Sequence, residues 1–374
     1  MELVYHLLKA FVKNSSSNYL QDITFYDILV QKQRTLLLLE VISMLKTICC
    51  TGDSHTWGQG ASQLLESFTP AVINGDLRLA PFSPPSYVSL VRNAVNQKTN
   101  SSAKEFQAEN LARQEGIAFI NGCAMIEKRP LSINTPFAFL RIELRCQTAE
   151  SEAEILIDGN SAARLDLKVS DDTNAFRVIP FHAGADTSHT LEIRAVSGTV
   201  LLYRIEAYCG KYAVLNCGIG SCNSKRYLSE YWERYVADCK PSVVLLEAHT
   251  INDWLSEQTP QECCAQLKEM IRRTKNLGAL PILLTVSPIL GSQESKCTGT
   301  DYEAYVAAGK QAAADTGTFV IDANLAMREV LSQIPVPEHA SYLYDDIWHV
   351  NDRGHQIYAQ QIISAFEREG ILKI

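Results

Sequence analysis

A chain of 374 residues, 46% of them hydrophobic, can bury a sizeable core and is long for one domain, so two domains are the natural expectation. A net charge of −8 with no Lys/Arg-rich block argues against nucleic acid and anionic membrane surfaces as partners. Eleven cysteines, an odd number with adjacent pairs Cys49-Cys50 and Cys263-Cys264 at apolar positions, make no disulfide framework, and no apolar run is long enough to cross a membrane. The start carries Glu2 where a signal peptide needs basic residues, so a reduced cytoplasmic location is expected.

In chain order, residues 1–42 read as an N-terminal helical extension in two pieces separated by Asn14-Ser15-Ser16-Ser17-Asn18. Leu3, Leu7, Leu8 and Phe11 lie near one face of the first piece; Phe25, Ile28 and Leu29 mark the second. The apolar run 44–50 supplies a buried first strand ending in Gly52-Asp53-Ser54. A Pro-rich stretch at Pro81, Pro84 and Pro85 then precedes a helix over about 86–97 and a linker-like run at 98–102.

From 105 to 210 the pattern changes to short strands. Leu140, Ile142 and Leu144 fall on one face of a strand at 139–144, further strands are expected at 154–158, 176–180 and 190–194, and Asp158-Gly159-Asn160 makes a hairpin turn. Roughly eight short strands in such a stretch suit an inserted β-sandwich or jelly roll. Strand and helix alternation returns at Tyr212, with strands near 212–218, 242–248, 280–287 and 317–322 and helices near 224–238, 260–277 and 301–316. Cys264, Leu267, Met270 and Ile271 share a face of the second helix. A last helix over 351–369 buries Ile357, Tyr358, Ile362 and Phe366. The fold expected is α/β: a doubly wound, mostly parallel five-stranded sheet from 43–104 and 211–374, interrupted by the β-domain at 105–210, with ligands at the carboxyl ends of its strands. Both ends of the insert join the sheet domain, so it is positioned to shape access to those strand ends.

Three short words stand at those ends: Gly52-Asp53-Ser54, Asn252-Asp253 and Asp346-Ile347-Trp348-His349. A serine hydroxyl is a poor nucleophile until a base takes its proton, and a base works best when a third group fixes its tautomer. His349 is the candidate base for Ser54, because Asp346 three residues earlier can reach the opposite ring nitrogen. The developing oxyanion needs fixed donors, for which the Ser54 N–H, a backbone N–H at Gly220 or Ser221 and the Asn252 amide are candidates. Read singly, each word is also an ordinary turn or cap. His55 and His249 are rival bases or pocket-lining groups, His355 a partly exposed helical histidine, and Trp57, Trp254 and Trp348 packing residues. Thr56 breaks the Gly-x-Ser-x-Gly elbow, and no Cys-x-x-Cys, His-Glu-x-x-His or phosphate loop occurs, so neither metal nor organic cofactor is expected.

Taken in order, Thr51-Gly52-Asp53-Ser54, Asn216-Cys217-Gly218-Ile219-Gly220-Ser221, Thr250-Ile251-Asn252-Asp253 and Asp346 to His355 resemble the blocks of the SGNH (GDSL-type) hydrolases. Two positions depart from the family pattern. Ungapped spacing from Asn216 puts Ser221 where the second block carries its Gly, with Gly220 one residue early, and Thr250 replaces the Gly of Gly-x-Asn-Asp. The resemblance implies a flavodoxin-like SGNH fold and a serine esterase that works through an acyl-enzyme on Ser54. The β-insert looks like those that accompany carbohydrate esterases, which implies an acetylated oligosaccharide as substrate. A non-catalytic carbohydrate-binding protein, or a thioesterase or acyltransferase with the same site, are the alternatives, and a homo-oligomer is left open.

Overall fold

A computed structural model describes residues 45–62, 85–120, 122–170, 176–256, 258–290 and 301–372. The expected extension at 1–42 and the prolines Pro81 and Pro84 lie outside the described residues.

The apolar run before Gly52 forms β1 (Lys46–Gly52), buried at every residue after Lys46, as a strand covered on both faces of a parallel sheet must be. One helical turn, α1 (Ser54–Trp57), follows, then α2 (Tyr87–Thr99), whose Ser86 cap accepts from the Ser89 N–H.

The insert contains β2 (Ser102–Gln107), α3 (Ala108–Glu115), β3 (Phe119–Ile120), β4 (Cys123–Ile126), β5 (Leu131–Arg145), β6 (Glu152–Ile157), β7 (Asn160–Asp166), β8 (Phe176–Ser197) and β9 (Val200–Cys209). These strands pair into one antiparallel eight-stranded sheet, ordered β3-β4-β9-β5-β8-β6-β7 with β2 beside β9. The strands expected at 176–180 and 190–194 are the two ends of β8. Between them the chain is polar, with His182, Asp186, Thr187 and Ser188, so hydrophobic alternation lapses while the ladder to β5 continues past a register shift at Phe137/Phe139. Leu140, Ile142 and Leu144 do share a face, packed with Ile155, Ile193 and Leu202. The opposite face of β5 presents Arg141 and Glu143, also buried.

The α/β pattern resumes with β10 (Tyr212–Gly218) and α4 (Ser224–Arg226), which runs on through π-helical segments Tyr227–Tyr231 and Glu233–Ala237. Next come β11 (Val243–Glu247), α5 (Thr250–Leu255), α6 (Pro260–Asn276), β12 (Leu280–Leu284), α7 (Tyr302–Thr316), β13 (Phe319–Ile321), α8 (Ala323–Leu331), α9 (His339–Leu343) and α10 (Asp352–Arg368). A Thr259–Glu262 capping box with Pro260 in the first turn starts α6, and its fully buried face carries Cys263, Leu267, Met270 and Ile271, with Cys264 at the margin.

The five parallel strands lie in the order β10-β1-β11-β12-β13. One face packs on α2, α8 and α10 through Val91, Met327, Tyr358 and Phe366; the other packs on the α4 region, α6 and α7 through Tyr235, Leu267 and Tyr305. The order reverses between β1 and β11, and in a doubly wound sheet the crevice opens at the carboxyl ends of such a strand pair. β1 delivers Ser54 there and β11 delivers Asn252. The insert meets this domain at the edge strand β10, where Tyr208 Oη donates to the Val214 carbonyl and Arg141 Nη2 to the Asn216 carbonyl.

Candidate active site

Ser54 opens α1 immediately beyond β1, and Asp53 caps this turn by accepting the His55 N–H at 2.9 Å. The turn is pressed against the end of β10: a Cβ on Gly218 would lie 2.3 Å from the Trp57 nitrogen, so only glycine allows that approach. Asn216 ties the same two segments together, accepting the Gly218 N–H at 3.0 Å and donating to the Trp57 carbonyl at 3.2 Å.

The structure brings Ser54, Asp346 and His349 together from opposite ends of the chain. His349 Nε2 is 2.8 Å from Ser54 Oγ, and His349 Nδ1 is 2.7 Å from Asp346 Oδ2. A carboxylate only accepts, so the ring proton sits on Nδ1 and Nε2 is left to accept from the serine hydroxyl. Asp346 Oδ1 also accepts the Trp348 and His349 N–H groups, each at 2.7 Å, which folds the loop into a tight turn around one carboxylate. Partial burial pushes the Asp346 carboxyl up, but these bonds and the facing imidazole prevail and hold it at about 2.

Asn252, in α5, donates to Asp53 Oδ2 at 2.7 Å, so its amide is fixed beside the serine turn. Gly220 and Ser221 follow β10 in a turn, Gly220 buried and Ser221 exposed with φ of +55°. Thr250, in the position of the family's Gly, is buried.

The rival histidines have other partners. His249 bonds the Cys222 carbonyl at 2.9 Å and meets the Tyr227 ring at a tilt, 5.0 Å between centroids, fully buried behind the site. His55 is also fully buried, between Asp53 and the Trp348 carbonyl. His355, expected to be partly exposed, is fully buried instead: α10 turns it inward toward α2, where it meets the Tyr87 N–H and the Gln59 carbonyl while Ile357 takes the margin. Trp57 and Trp254 are buried packing residues, and Trp254 meets Trp348 edge to face at 6.0 Å. A cleft of about 880 Å³ borders the base loop, with Gln59, Tyr344, Asp346, Ile347, Trp348 and His349 among its walls.

A buried acid pair went unread in the sequence. Glu247, the last residue of β11, accepts the Asp53 N–H at 2.7 Å and the His249 N–H at 3.0 Å. Burial, reinforced by the charge on Asp53, pushes the Glu247 carboxyl well up, whereas Asp53 itself, which burial would raise, is held well below the usual carboxylate range by His55. An acid closing an otherwise apolar strand was the only available signal. Among the described residues, no group of three His, Cys, Asp or Glu side chains is placed to hold a metal ion.

Residues 195–357 match the model of the GDSL-like lipase/acylhydrolase family, a span that includes Asn216 to Ser221, Asn252, Asp346 and His349, while Ser54 precedes it across the insert. No curated protein sequence matches the chain. A peptidoglycan O-acetylesterase structure is 14% identical over 90% of this chain and 94% of its own, with a TM-score of 0.50. An acetylxylan esterase from Geobacillus stearothermophilus is 25% identical over 41% of this chain and 71% of its own, with a TM-score of 0.35. A lipase/acylhydrolase from Enterococcus faecalis is 20% identical over 42% of this chain and 77% of its own, with a TM-score of 0.36. Over residues 195–357 the chain is thus similar to the GDSL-like lipase/acylhydrolase family, and it shares the fold of the O-acetylesterase structure.

Proposed function

We propose that the protein is a serine esterase that removes short acyl groups, acetyl above all, from carbohydrate. One observation carries the reading: Ser54 Oγ lies 2.8 Å from His349 Nε2, whose other nitrogen is held by Asp346. In this reading Ser54 attacks the ester carbonyl as His349 takes its proton. The oxyanion is met by the Ser54 N–H, the Asn252 amide and the N–H of Gly220 or Ser221. Collapse expels the sugar hydroxyl, which leaves with the proton from His349. Water, deprotonated by the same histidine, then attacks the acyl-serine, and acetate departs as the serine is reprotonated. Asp346, held at about 2, stays charged through this cycle at neutral pH.

The carbohydrate part is supported by the peptidoglycan O-acetylesterase that shares the fold across most of both chains. The 105–210 segment fits the same reading as a module beside the catalytic domain. Its long strands β5 and β8 would fold one sheet into a sandwich around the apolar cluster of Leu140, Ile155 and Ile193.

The test is Ser54→Ala, assayed on p-nitrophenyl acetate and, by mass spectrometry, on acetylated xylooligosaccharides and O-acetylated peptidoglycan fragments. Turnover should fall by about 10³-fold or more, given what nucleophile removal costs in comparable triads. A folded variant with substantial activity would rule Ser54 out. Turnover of the nitrophenyl ester without release of acetate from any glycan would remove the carbohydrate assignment and leave the esterase.

A further inference from the structure

Beside the Ser54–His349 contact lies a second histidine to which the reaction above gives no task. His55 is fully buried, its ring centroid 5.4 Å from that of His349. Its Nδ1 is 3.0 Å from Asp53 Oδ1 and its Nε2 is 3.0 Å from the Trp348 carbonyl oxygen. Both partners can only accept, so both ring nitrogens must donate, and the ring is an imidazolium balanced by the Asp53 carboxylate.

Each end of this bridge reaches a working part. Asp53 Oδ2 accepts one amide hydrogen of Asn252 at 2.7 Å. The two hydrogens of an amide nitrogen share one plane, so fixing one aims the other. At the far end, the Trp348 carbonyl belongs to the peptide group that leads into His349, whose N–H is held by Asp346. The bridge therefore spans three chain segments: Asn252 lies 199 positions from Asp53, and Trp348 lies 293 from His55.

We infer that His55 is a positioning residue: a buried cation that, by bridging Asp53 to the Trp348 carbonyl, holds the Asn252 amide and the His349 loop in register for attack by Ser54. This rests on the serine-esterase reading. Burial alone would lower the imidazole, but the Asp53 carboxylate reverses that and raises it, in keeping with a cation at neutral pH. Because a misplacement of about 1 Å can cost on the order of 10²-fold in rate, such a bridge can matter to turnover without touching substrate.

The experiment uses the full chain and p-nitrophenyl acetate. His55→Gln should lower kcat by about 10²-fold with KM within about threefold, since alignment rather than ground-state binding is lost. In an Asn252→Ala background the same change should cost about tenfold or less, because part of its effect runs through the missing amide. An equal factor in both backgrounds, or an unchanged kcat, overturns the inference. Ser54→Ala separates the two readings: a fully active Ser54→Ala would sink the esterase assignment itself, whereas a dead Ser54→Ala beside a fully active His55→Gln sinks only the positioning role. Should His55→Gln fail to fold, nitrogen-15 histidine NMR of the unmodified protein at about pH 8 decides, where an unperturbed imidazole is neutral. A His55 ring with both nitrogens protonated upholds the bridge, and a neutral ring overturns it.

Discussion

His355 should make the fold sensitive to mild acid, and the size of the effect follows from its surroundings. The ring is fully buried between α10 and α2, with Nδ1 facing the Tyr87 N–H at 3.3 Å and Nε2 facing the Gln59 carbonyl at 3.1 Å. Only the neutral Nε2–H tautomer satisfies both, because a second proton would point Nδ1–H at another N–H. Burial pushes the imidazole down to about 4, with the nearby His55 and His349 adding to the shift. In the unfolded chain it titrates near 6.5. Between these values the unfolded state binds more protons than the folded one, so stability falls as pH falls. The gap between about 6.5 unfolded and about 4 folded, at about 1.36 kcal/mol per pH unit, makes the loss between about pH 7 and pH 4 roughly 3 kcal/mol. His355→Gln can offer similar partners and cannot titrate. Urea unfolding of both proteins at the two pH values isolates the term, because other titrating groups are common to both. The stability difference between wild type and variant should move by about 3 kcal/mol in the variant's favour on acidification. A difference unchanged with pH would refute the buried neutral imidazole.

Asp346→Asn should lower kcat by about 10³-fold with KM nearly unchanged, since an amide can offer His349 an N–H and so favour the wrong tautomer; steady-state kinetics check this, and a loss under tenfold counts against the orienting role. Gly218→Ala should lower the melting midpoint and cost tenfold or more in kcat/KM, because the new Cβ would meet the α1 backbone at 2.3 Å and the turn carrying Ser54 would have to move. An unchanged melt and rate would show that the turn yields freely.

The serine, asparagine and histidine words were readable because each is local: a few residues whose types and spacing carry the chemistry wherever the fold puts them. The parallel sheet was readable for a similar reason, since each βα unit repeats one strand period and one helix period. What stayed hidden comes from segments that meet only in space. Glu247 looks unremarkable at the end of its strand, and its pairing with Asp53 needs β11 laid beside β1 in the register Thr51 to Leu246. His355 looked exposed because the face of α10 was judged by its apolar residues alone, while a histidine with two backbone partners joined that face. In the insert, β8 read as two strands because its middle is polar, and there its ladder to β5 is broken by the register shift at Phe137/Phe139 before it resumes.

The same limit bears on the insert's role. From chain order it was positioned to shape access to the strand ends, but its bonds fall on β10 and, where Arg234 donates to the Phe176 carbonyl, on the π-helical segment after it, and one of those on β10 leads inward. Arg141 donates to Glu206 at 2.7 Å and to the Asn216 carbonyl at 3.1 Å, and the Asn216 side chain grips Gly218 and the Trp57 carbonyl at the serine turn. Burial would raise Glu206, yet Arg141 and Arg204 hold it at about 2, so it is a buried anion that depends on its cations. Arg141→Met removes one cation and leaves the other charges in place, which for a buried pair costs about 3–5 kcal/mol. It also takes the donor from the Asn216 carbonyl, so turnover of p-nitrophenyl acetate, far too small to need a glycan surface, should fall too. Denaturant melts and kinetics on the one variant test both parts. Stability within about 1 kcal/mol of wild type would deny the charge network its weight. A destabilised but folded protein with full activity on the small ester would show that the insert braces the sheet without reaching the site.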